Sequence, residues 1–313
     1  MPEWKILLTD GLEETGQTIL RAAALVNDCL GIPADELKQI IGEYDALIVR
    51  GRTRVTRELL ERSIRLKVVG RSGVGVDNID LSAAKECGVV VVNAPMSTSL
   101  AVAELAIGML LALARRIPYA DQTMKAGKWD KQSLQGIELN GKVLGVIGMG
   151  NIGAAVAARA EALGMEVIGF DLLLPEEEIM RRGANPVAIG DLYNRADFIT
   201  IHIPLTAESR GWIDTVALSQ MKPSVRIVCT ARGGIIDESA LLAALETGQV
   251  AGAALDVFVQ EPPGLTALVA HPNVIATPHI GAQTAEAQGR AAVDIAQEVL
   301  AVLRGEPLRW QVI

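Results

Sequence analysis

The first part of the chain alternates between short, unbroken apolar runs and longer amphipathic stretches. K-I-L-L-T-D (Lys5–Asp10), A-L-I-V-R (Ala46–Arg50), L-K-V-V-G (Leu66–Gly70) and V-V-V-V-N (Val89–Asn93) are the runs. Such runs fit strands covered on both faces, and their alternation with helical segments predicts parallel βαβ units. The stretch after the first run reads as a helix to about Leu25, so four strands are predicted here. Leu100 to Arg116 reads as a long helix closed by Arg115, Arg116 and Pro118. Its apolar residues lie nearly all the way round, which predicts burial between domains or subunits.

A second series opens after the turn-rich segment Gln135–Lys142. Its strands are predicted at Val143–Ile147, Glu166–Asp171, Asp197–Ile203, Val225–Thr230, Ala251–Val257 and Val274–Thr277. Thr284 to about Arg304 is a last helix with no strand after it. Lacking a partner in the second series, it is expected to return to the first. The fold class is therefore α/β, with two doubly wound parallel sheets. The domains are expected at residues 1–96 with 285–313, interrupted by residues 97–284.

Composition narrows the function classes. A chain of 313 residues suits two domains, and 50% apolar with 21% charged residues argues against disorder. A formal net charge of -8 argues against sequence-independent binding of nucleic acid or anionic membrane. Cys29, Cys87 and Cys229 are far apart with no C-x-x-C pair, which fits a reducing compartment without structural zinc. M-P-E-W-K-I-L-L-T-D does not read as a signal peptide, and Leu100–Ala114, interrupted by Glu104, is too short for a membrane span. A cytoplasmic protein is expected.

Gly148-Met149-Gly150-Asn151-Ile152-Gly153 matches G-x-G-x-x-G between a predicted strand and a predicted helix. The next strand ends at Asp171, eighteen residues beyond Gly153. This is the full dinucleotide-binding context. Gly148 permits the tight turn, Gly150 lets backbone approach a pyrophosphate, and Gly153 lets helix and strand pack closely. The helix N-terminus offers free N–H groups and a positive dipole end to the phosphates. An Asp171 carboxylate accepts from ribose hydroxyls and repels a 2′-phosphate, so NAD is the expected cofactor.

Hydride transfer to a carbonyl needs a proton donor that titrates near neutrality, usually a histidine. Three exist. His271, in A-H-P-N-V, reads as a surface turn. His202, in T-I-H-I-P, either lines a cofactor cleft or packs as a satisfied core residue. His279, in T-P-H-I-G-A, stands where a strand meets a glycine turn, and carboxyl ends of strands are where such sheets place ligands. Arg232 in C-T-A-R-G-G and Glu261 in V-Q-E-P-P occupy comparable strand ends. An Arg binds a 2-oxo acid's carboxylate and polarises its carbonyl. A Glu beside a His stabilises the imidazolium and fixes its orientation.

From about Ala46 to about Glu298 the chain resembles the D-isomer-specific 2-hydroxyacid dehydrogenases. The resemblance rests on V-V-G-R-S-G-V-G-V-D-N-I-D, A-R-R-I-P, M-K-A-G-K-W, G-M-G-N-I-G, A-R-G-G-I-I-D-E, A-G-A-A-L-D-V-F, E-P-P and P-H-I-G-A. It implies a Rossmann NAD domain inserted in a flavodoxin-like substrate domain, with the last helix returning to the first domain. It implies that Arg232, Glu261 and His279 are catalytic and that Asp256 meets the nicotinamide carboxamide. The remaining implied cofactor contacts are Val74, Gly148, Gly150, Asn151, Ile152, Gly153, Asp171, His202, Ile203, Pro204, Thr230, Ala231, Gly281 and Ala282, besides Arg232 and His279.

On the substrate side, the resemblance implies that Arg50 and Arg71 lie near a phosphorylated substrate, and that the backbone of Ser72, Gly73, Val74 and Gly75 cradles a carboxylate. Val74 replaces the family's usual Thr, Thr98 stands where Asn is common, and Lys131 replaces an Arg that reaches the neighbouring subunit's site. The implied activity is NAD-dependent oxidation of a small anionic 2-hydroxy acid to its 2-oxo acid, foremost D-3-phosphoglycerate, a step of serine biosynthesis. Glyoxylate or hydroxypyruvate reduction is the alternative, and a non-catalytic NAD-sensing corepressor the rival from another class. The apolar helix and the K-A-G-K-W-D segment predict a homodimer or higher oligomer. No serine-binding regulatory domain is expected beyond Ile313, so free serine is not expected to inhibit.

Overall fold

The computed structural model describes residues 4–313; the predictions that touch Met1–Glu3, the absence of a signal peptide and the start of the first domain, lie in part outside the described residues. The elements begin β1 (Trp4–Leu8), α1 (Glu14–Arg21), β2 (Ala24–Asp28), α2 (Ala34–Ile40), β3 (Ala46–Val49), α3 (Arg57–Arg62), β4 (Val68–Arg71), α4 (Leu81–Glu86) and β5 (Val90–Asn93). Two helices follow, α5 (Ser99–Arg115) and α6 (Ile117–Lys125). Then come β6 (Val143–Ile147), α7 (Asn151–Ala162), β7 (Glu166–Phe170), α8 (Glu176–Arg181), β8 (Asn185–Pro186), α9 (Ile189–Arg195) and β9 (Phe198–Ile201). The chain ends with α10 (Thr215–Gln220), β10 (Val225–Cys229), α11 (Glu238–Thr247), β11 (Val250–Leu255), α12 (Ala267–Ala270), β12 (Val274–Ala276) and α13 (Ala285–Arg304).

The chain divides into two compact units, Met1–Ser99 with Ala282–Ile313, and Leu100–Gly281. In the first, five parallel strands run in the order β2-β1-β3-β4-β5. This is the flavodoxin-like order, with its reversal between β1 and β3. Although Ile6–Leu8 of β1 is an unbroken apolar run, its side chains alternate between two cores. Ile6 and Leu8 pack with Ile295, Ala296 and Val299 of α13, and Leu7 packs with Leu37, Leu59 and Leu60 on the other face. Each fully buried aliphatic of this kind stabilises by about 1.5–3 kcal/mol. Thr284 caps α13 by accepting from the Ala287 N–H at 3.1 Å. The unpartnered terminal helix thus covers one face of the first sheet.

The prediction of four strands in this unit is corrected to five. The predicted helix stops at Arg21, and Ala24–Asp28 forms β2. It is an edge strand with half-exposed residues, and its apolar stretch follows α1 with no glycine or proline between, so the sequence reads as one continued helix.

In the second unit the order is β12-β11-β10-β9-β6-β7-β8, all parallel. This extends the Rossmann order by one strand, with its reversal between β6 and β9. Here too the strands serve two cores. Ile147, Ile199, Ile201 and Ile227 face Leu192, Leu218 and Leu241 of α9, α10 and α11. Leu144, Val146, Phe198 and Val228 face Ala106 and Leu110 of α5 and Val156 and Ala160 of α7. The two-residue β8 went unread because two residues carry no periodicity.

Candidate active site

The reversal in the second sheet is where its ligand crevice should lie, outside the carboxyl ends of β6 and β9. The His202 N–H donates to the Ile147 carbonyl at 2.8 Å and ties these two ends together. Just past β6, Gly148 has φ +93 and sits so close to β9 that a Cβ there would meet the His202 carbonyl O at 2.6 Å. A Cβ on Gly153 would lie 2.0 Å from the Gly148 carbonyl O. Both glycines are required by the protein's own packing. Gly150 is not: its φ is -67 and a Cβ there would meet nothing within 4 Å. Its space is open toward the N-terminus of α7, which begins at Asn151.

Asp171 stands past β7 at the edge of the same loop. Its Oδ2 accepts from the Met149 N–H at 2.8 Å, and its Oδ1 from the N–H groups of Leu173 and Leu174 at 2.9 and 3.2 Å. The acid therefore has a structural role that spacing alone did not reveal. Oδ2, with one donor, keeps lone-pair capacity for a ribose hydroxyl.

Two buried polar atoms at these strand ends have no hydrogen-bond partner among the described residues, His202 Nδ1 and Thr230 Oγ1. Buried polar groups are normally satisfied, so orphans in a crevice mark where a ligand supplies the partner. The His202 Nε2 is 2.8 Å from Thr200 Oγ1. Although part of the ring is accessible, desolvation pushes its pKa down to about 3, so the imidazole is neutral. It suits contact with a ligand and not proton transfer. The open Gly150, the N-terminus of α7, Asp171 and these orphans together fit a dinucleotide.

The catalytic candidates occupy the other carboxyl ends of this sheet. His279 Nδ1 and Glu261 Oε2 are 2.8 Å apart, with both side chains partly accessible. Glu261 Oε1 accepts from the Phe258 N–H at 3.1 Å, which fixes the carboxylate. His279 has φ +54, in the left-handed region that non-glycine residues seldom visit. Asp256, fully buried, holds the backbone there. Its Oδ1 accepts from the Thr277 hydroxyl and the Ile280 N–H, and its Oδ2 from the Gly281 N–H at 2.8 Å. Asp256 thus builds the turn that presents the imidazole, a role absent from the sequence reading.

Arg232 lies just past β10, its Nη1 donating to the Ala231 carbonyl at 2.7 Å. A Cβ on Gly233 would meet the Phe258 carbonyl O at 1.9 Å, so the Arg232 turn lies against the loop that carries Glu261. Ile203 and Pro204 follow His202 beside the glycine loop, and Lys131 is exposed near Trp129 beyond α6. His271 is in a loop at the opposite end of the sheet, where its Nδ1 accepts from the Asn273 N–H.

Except for Lys131, the substrate-side residues belong to the first unit. Arg50 follows β3, and its guanidinium makes one long contact, Nη1 to Gln288 Oε1 at 3.3 Å. Arg71 ends β4 and folds over the next loop, where a Cβ on Gly73, at φ +138, would fall on its guanidinium. The loop itself is held by Ala94 N–H to Gly73 O at 2.9 Å and Asn93 Nδ2 to Val74 O at 2.7 Å. Asp10, at the end of β1, was not singled out from the sequence. It accepts from the Arg50 and Thr53 N–H groups at 2.8 and 3.0 Å and pairs with Arg52 at 3.3 Å. Burial alone would raise its pKa, but the hydrogen bonds from Thr53 and Arg50 and the Arg52 charge outweigh it and hold the carboxyl below its ordinary value. An acid closing the first strand, in T-D-G, was the available clue.

Residues 107–281 match the family model for the NAD binding domain of the D-isomer specific 2-hydroxyacid dehydrogenases. A D-3-phosphoglycerate dehydrogenase of Methanocaldococcus jannaschii is 49% identical over 96% of this chain and 58% of its own length. The chain spans only about half to three-fifths of the length of the curated relatives that it matches, from 49% to 58%. Among solved structures, a glyoxylate reductase from Paecilomyes thermophila superposes with TM-score 0.91 at 30% identity, covering 100% of this chain and 99% of that one. D-lactate dehydrogenase from Aquifex aeolicus, complexed with NAD and lactic acid, superposes with TM-score 0.82 at 30% identity, covering 96% of each. With its NAD-binding sheet, its glycine loop and its paired Glu261 and His279, this chain belongs to the D-isomer specific 2-hydroxyacid dehydrogenase family.

Proposed function

We propose that the chain catalyses reversible, NAD-dependent oxidation of a small D-2-hydroxy acid, foremost D-3-phosphoglycerate to 3-phosphohydroxypyruvate. The observation that carries this reading is the 2.8 Å contact between Glu261 and His279, set in the unit that matches the NAD-binding domain. The names of the 45–49% identical relatives favour the phosphorylated substrate.

When bound, the nicotinamide supplies the hydride acceptor. Gly148, Gly150, the first amides of α7 and Asp171 would hold the dinucleotide. A carboxylate only accepts, so Glu261 accepts a hydrogen bond from the Nδ1–H of His279 and leaves Nε2 as the imidazole's working nitrogen. In oxidation, Nε2 removes the substrate hydroxyl proton, and the resulting imidazolium is stabilised by Glu261. In reduction the protonated ring returns that proton to the carbonyl oxygen. Arg232 binds the substrate carboxylate and polarises its carbonyl. Arg50 and Arg71 bind the phosphate, and the Ser72–Gly75 backbone offers N–H groups to the carboxylate.

A homodimer completes the reading. Ile117 at 52%, Met124 at 55% and Trp129 at 82% exposure form an apolar margin on α6 and the segment after it. Such a margin suits a second copy better than water. No helix among the described residues is long and apolar enough to cross a membrane.

NADH consumption across phosphohydroxypyruvate, hydroxypyruvate, glyoxylate and pyruvate tests the proposal. The highest kcat/KM is expected on phosphohydroxypyruvate. Preference for glyoxylate or hydroxypyruvate would favour the reductase reading, and no turnover on any 2-oxo acid would favour the corepressor.

A further inference from the structure

Arg182, just past α8, is a half-buried cation that the site described above does not use. Its Nη1 donates to the Met149 carbonyl at 3.1 Å, and its Nε to Glu178 Oε1 at 2.6 Å. Met149 is the fully buried residue between the first two glycines of the loop, and its N–H is the one held by Asp171. Met149 is therefore gripped at both ends, by a carboxylate on its N–H and a guanidinium on its C=O.

The consequence follows from peptide planarity. The C=O of one residue and the N–H of the next lie in one plane and point in opposite directions. Fixing the Met149 carbonyl therefore fixes the direction of the Gly150 N–H. It also fixes the orientation in which the chain enters α7, whose opening amides have no partner within the helix. Asp171 does the same for the preceding peptide, through the Met149 N–H. Gly150 needs such support on its N–H side, because it has no side chain to pack and a Cβ there would meet nothing within 4 Å.

Glu178 keeps Arg182 in place. It also accepts from Arg181 Nε and Nη2, both at 2.7 Å. These two arginines pull its pKa down to about 2, so the clamp stays charged throughout the working range.

We propose that Arg182, held by Glu178, is a positioning residue for the dinucleotide, which locks the Met149–Gly150 peptide so that the amides opening α7 are preformed for a pyrophosphate. This deepens, and rests on, the reading of Gly148–Gly153 as the cofactor cradle. Preformed donors bind more tightly because less ordering remains to be done on binding.

Calorimetric titration with NADH and with ADP-ribose, which lacks the nicotinamide, tests it. Arg182→Leu should raise both dissociation constants about tenfold, the order of one charge-assisted hydrogen bond. In turnover, the loss should fall on the KM for NADH and not on kcat. Arg182→Lys keeps a donor for the Met149 carbonyl and should recover much of the affinity. Because Asp171 and Arg182 hold the same residue, Asp171→Asn combined with Arg182→Leu should lose less than the product of the single losses. Should Arg182→Leu bind both ligands as the wild type does, or Arg182→Lys prove as weak as Arg182→Leu, or the two losses simply multiply, this inference is wrong. A wild-type chain that binds neither NADH nor ADP-ribose would overturn the cradle reading with it.

Discussion

Each of the two sheets has one point where its strand order reverses, and the chain uses the two points differently. In the second unit, the ends of β6 and β9 carry a glycine with open space around it and the orphaned His202 Nδ1, with the orphaned Thr230 Oγ1 at the end of β10 beside them. In the first unit, the ends of β1 and β3 are joined by the Asp10 carboxylate, which takes N–H groups from Arg50 and Thr53 and pairs with Arg52. The fold offers a crevice at both. At the second sheet's reversal His202 Nδ1 is left unpartnered; at the first, Thr9 Oγ1 is unpartnered too, but the Asp10 carboxylate is taken up from within. A reversal point therefore marks where a ligand can bind, and the protein's own donors and acceptors decide which polar groups there are left for it.

The largest effect should come from the second unit's chemistry. His279→Ala should lower kcat by about 10²–10⁴-fold, the usual contribution of a placed proton-transfer group. NADH binding by fluorescence titration should change far less. Glu261→Gln should cost less, about tenfold in reduction at neutral pH, since it removes only the charge opposite the imidazolium. Equal losses for the two variants would mean that Glu261 does more than orient and stabilise the ring.

The glycines sharpen the comparison next. Gly150→Ala should leave the thermal midpoint nearly unchanged and weaken NADH by about tenfold or more, because the space it fills is the ligand's. Gly153→Ala should instead cost stability, about 1–3 kcal/mol, because its Cβ would overlap the Gly148 carbonyl. If Gly150→Ala binds NADH normally, the open space there is not the pyrophosphate's.

Asp171→Ala should narrow the ratio of NADH to NADPH kcat/KM by about tenfold, one charge repulsion being removed. Preference for NADPH in the wild type would refute this role.

The smallest effect belongs to the first unit. Asp10→Asn should destabilise by about 1–3 kcal/mol near neutral pH, through lost charge-assisted hydrogen bonds. The folded carboxyl lies below its ordinary 3.8, so its contribution is present above that value and is lost as pH falls through the folded one. Denaturant midpoints of wild type and variant should therefore converge in acid. A constant gap across that range would mean that the charge of Asp10 is not what holds the loop.

Both parallel sheets and the glycine loop were legible in the sequence, because each leaves a mark in consecutive residues. A strand buried on both faces is an unbroken apolar run, and a loop that must turn, admit a ligand and pack a helix needs glycine at three fixed places. His279 and Glu261 were legible only as separate residues at strand ends, until a resemblance joined them. β2 was missed because its apolar residues follow α1 with no glycine or proline to mark the break. Tertiary structure alone decided which polar groups were already occupied. Nothing in T-D-G shows that Asp10 is consumed by Arg50 and Thr53, and nothing in D-V-F shows that Asp256 builds the turn of His279. No local pattern shows that Arg182 reaches back to Met149. Hydrogen-bond partners distant in sequence are chosen by how the strands and helices pack, so the chain by itself specifies the donors and acceptors, and only the fold specifies which of them remain for a ligand.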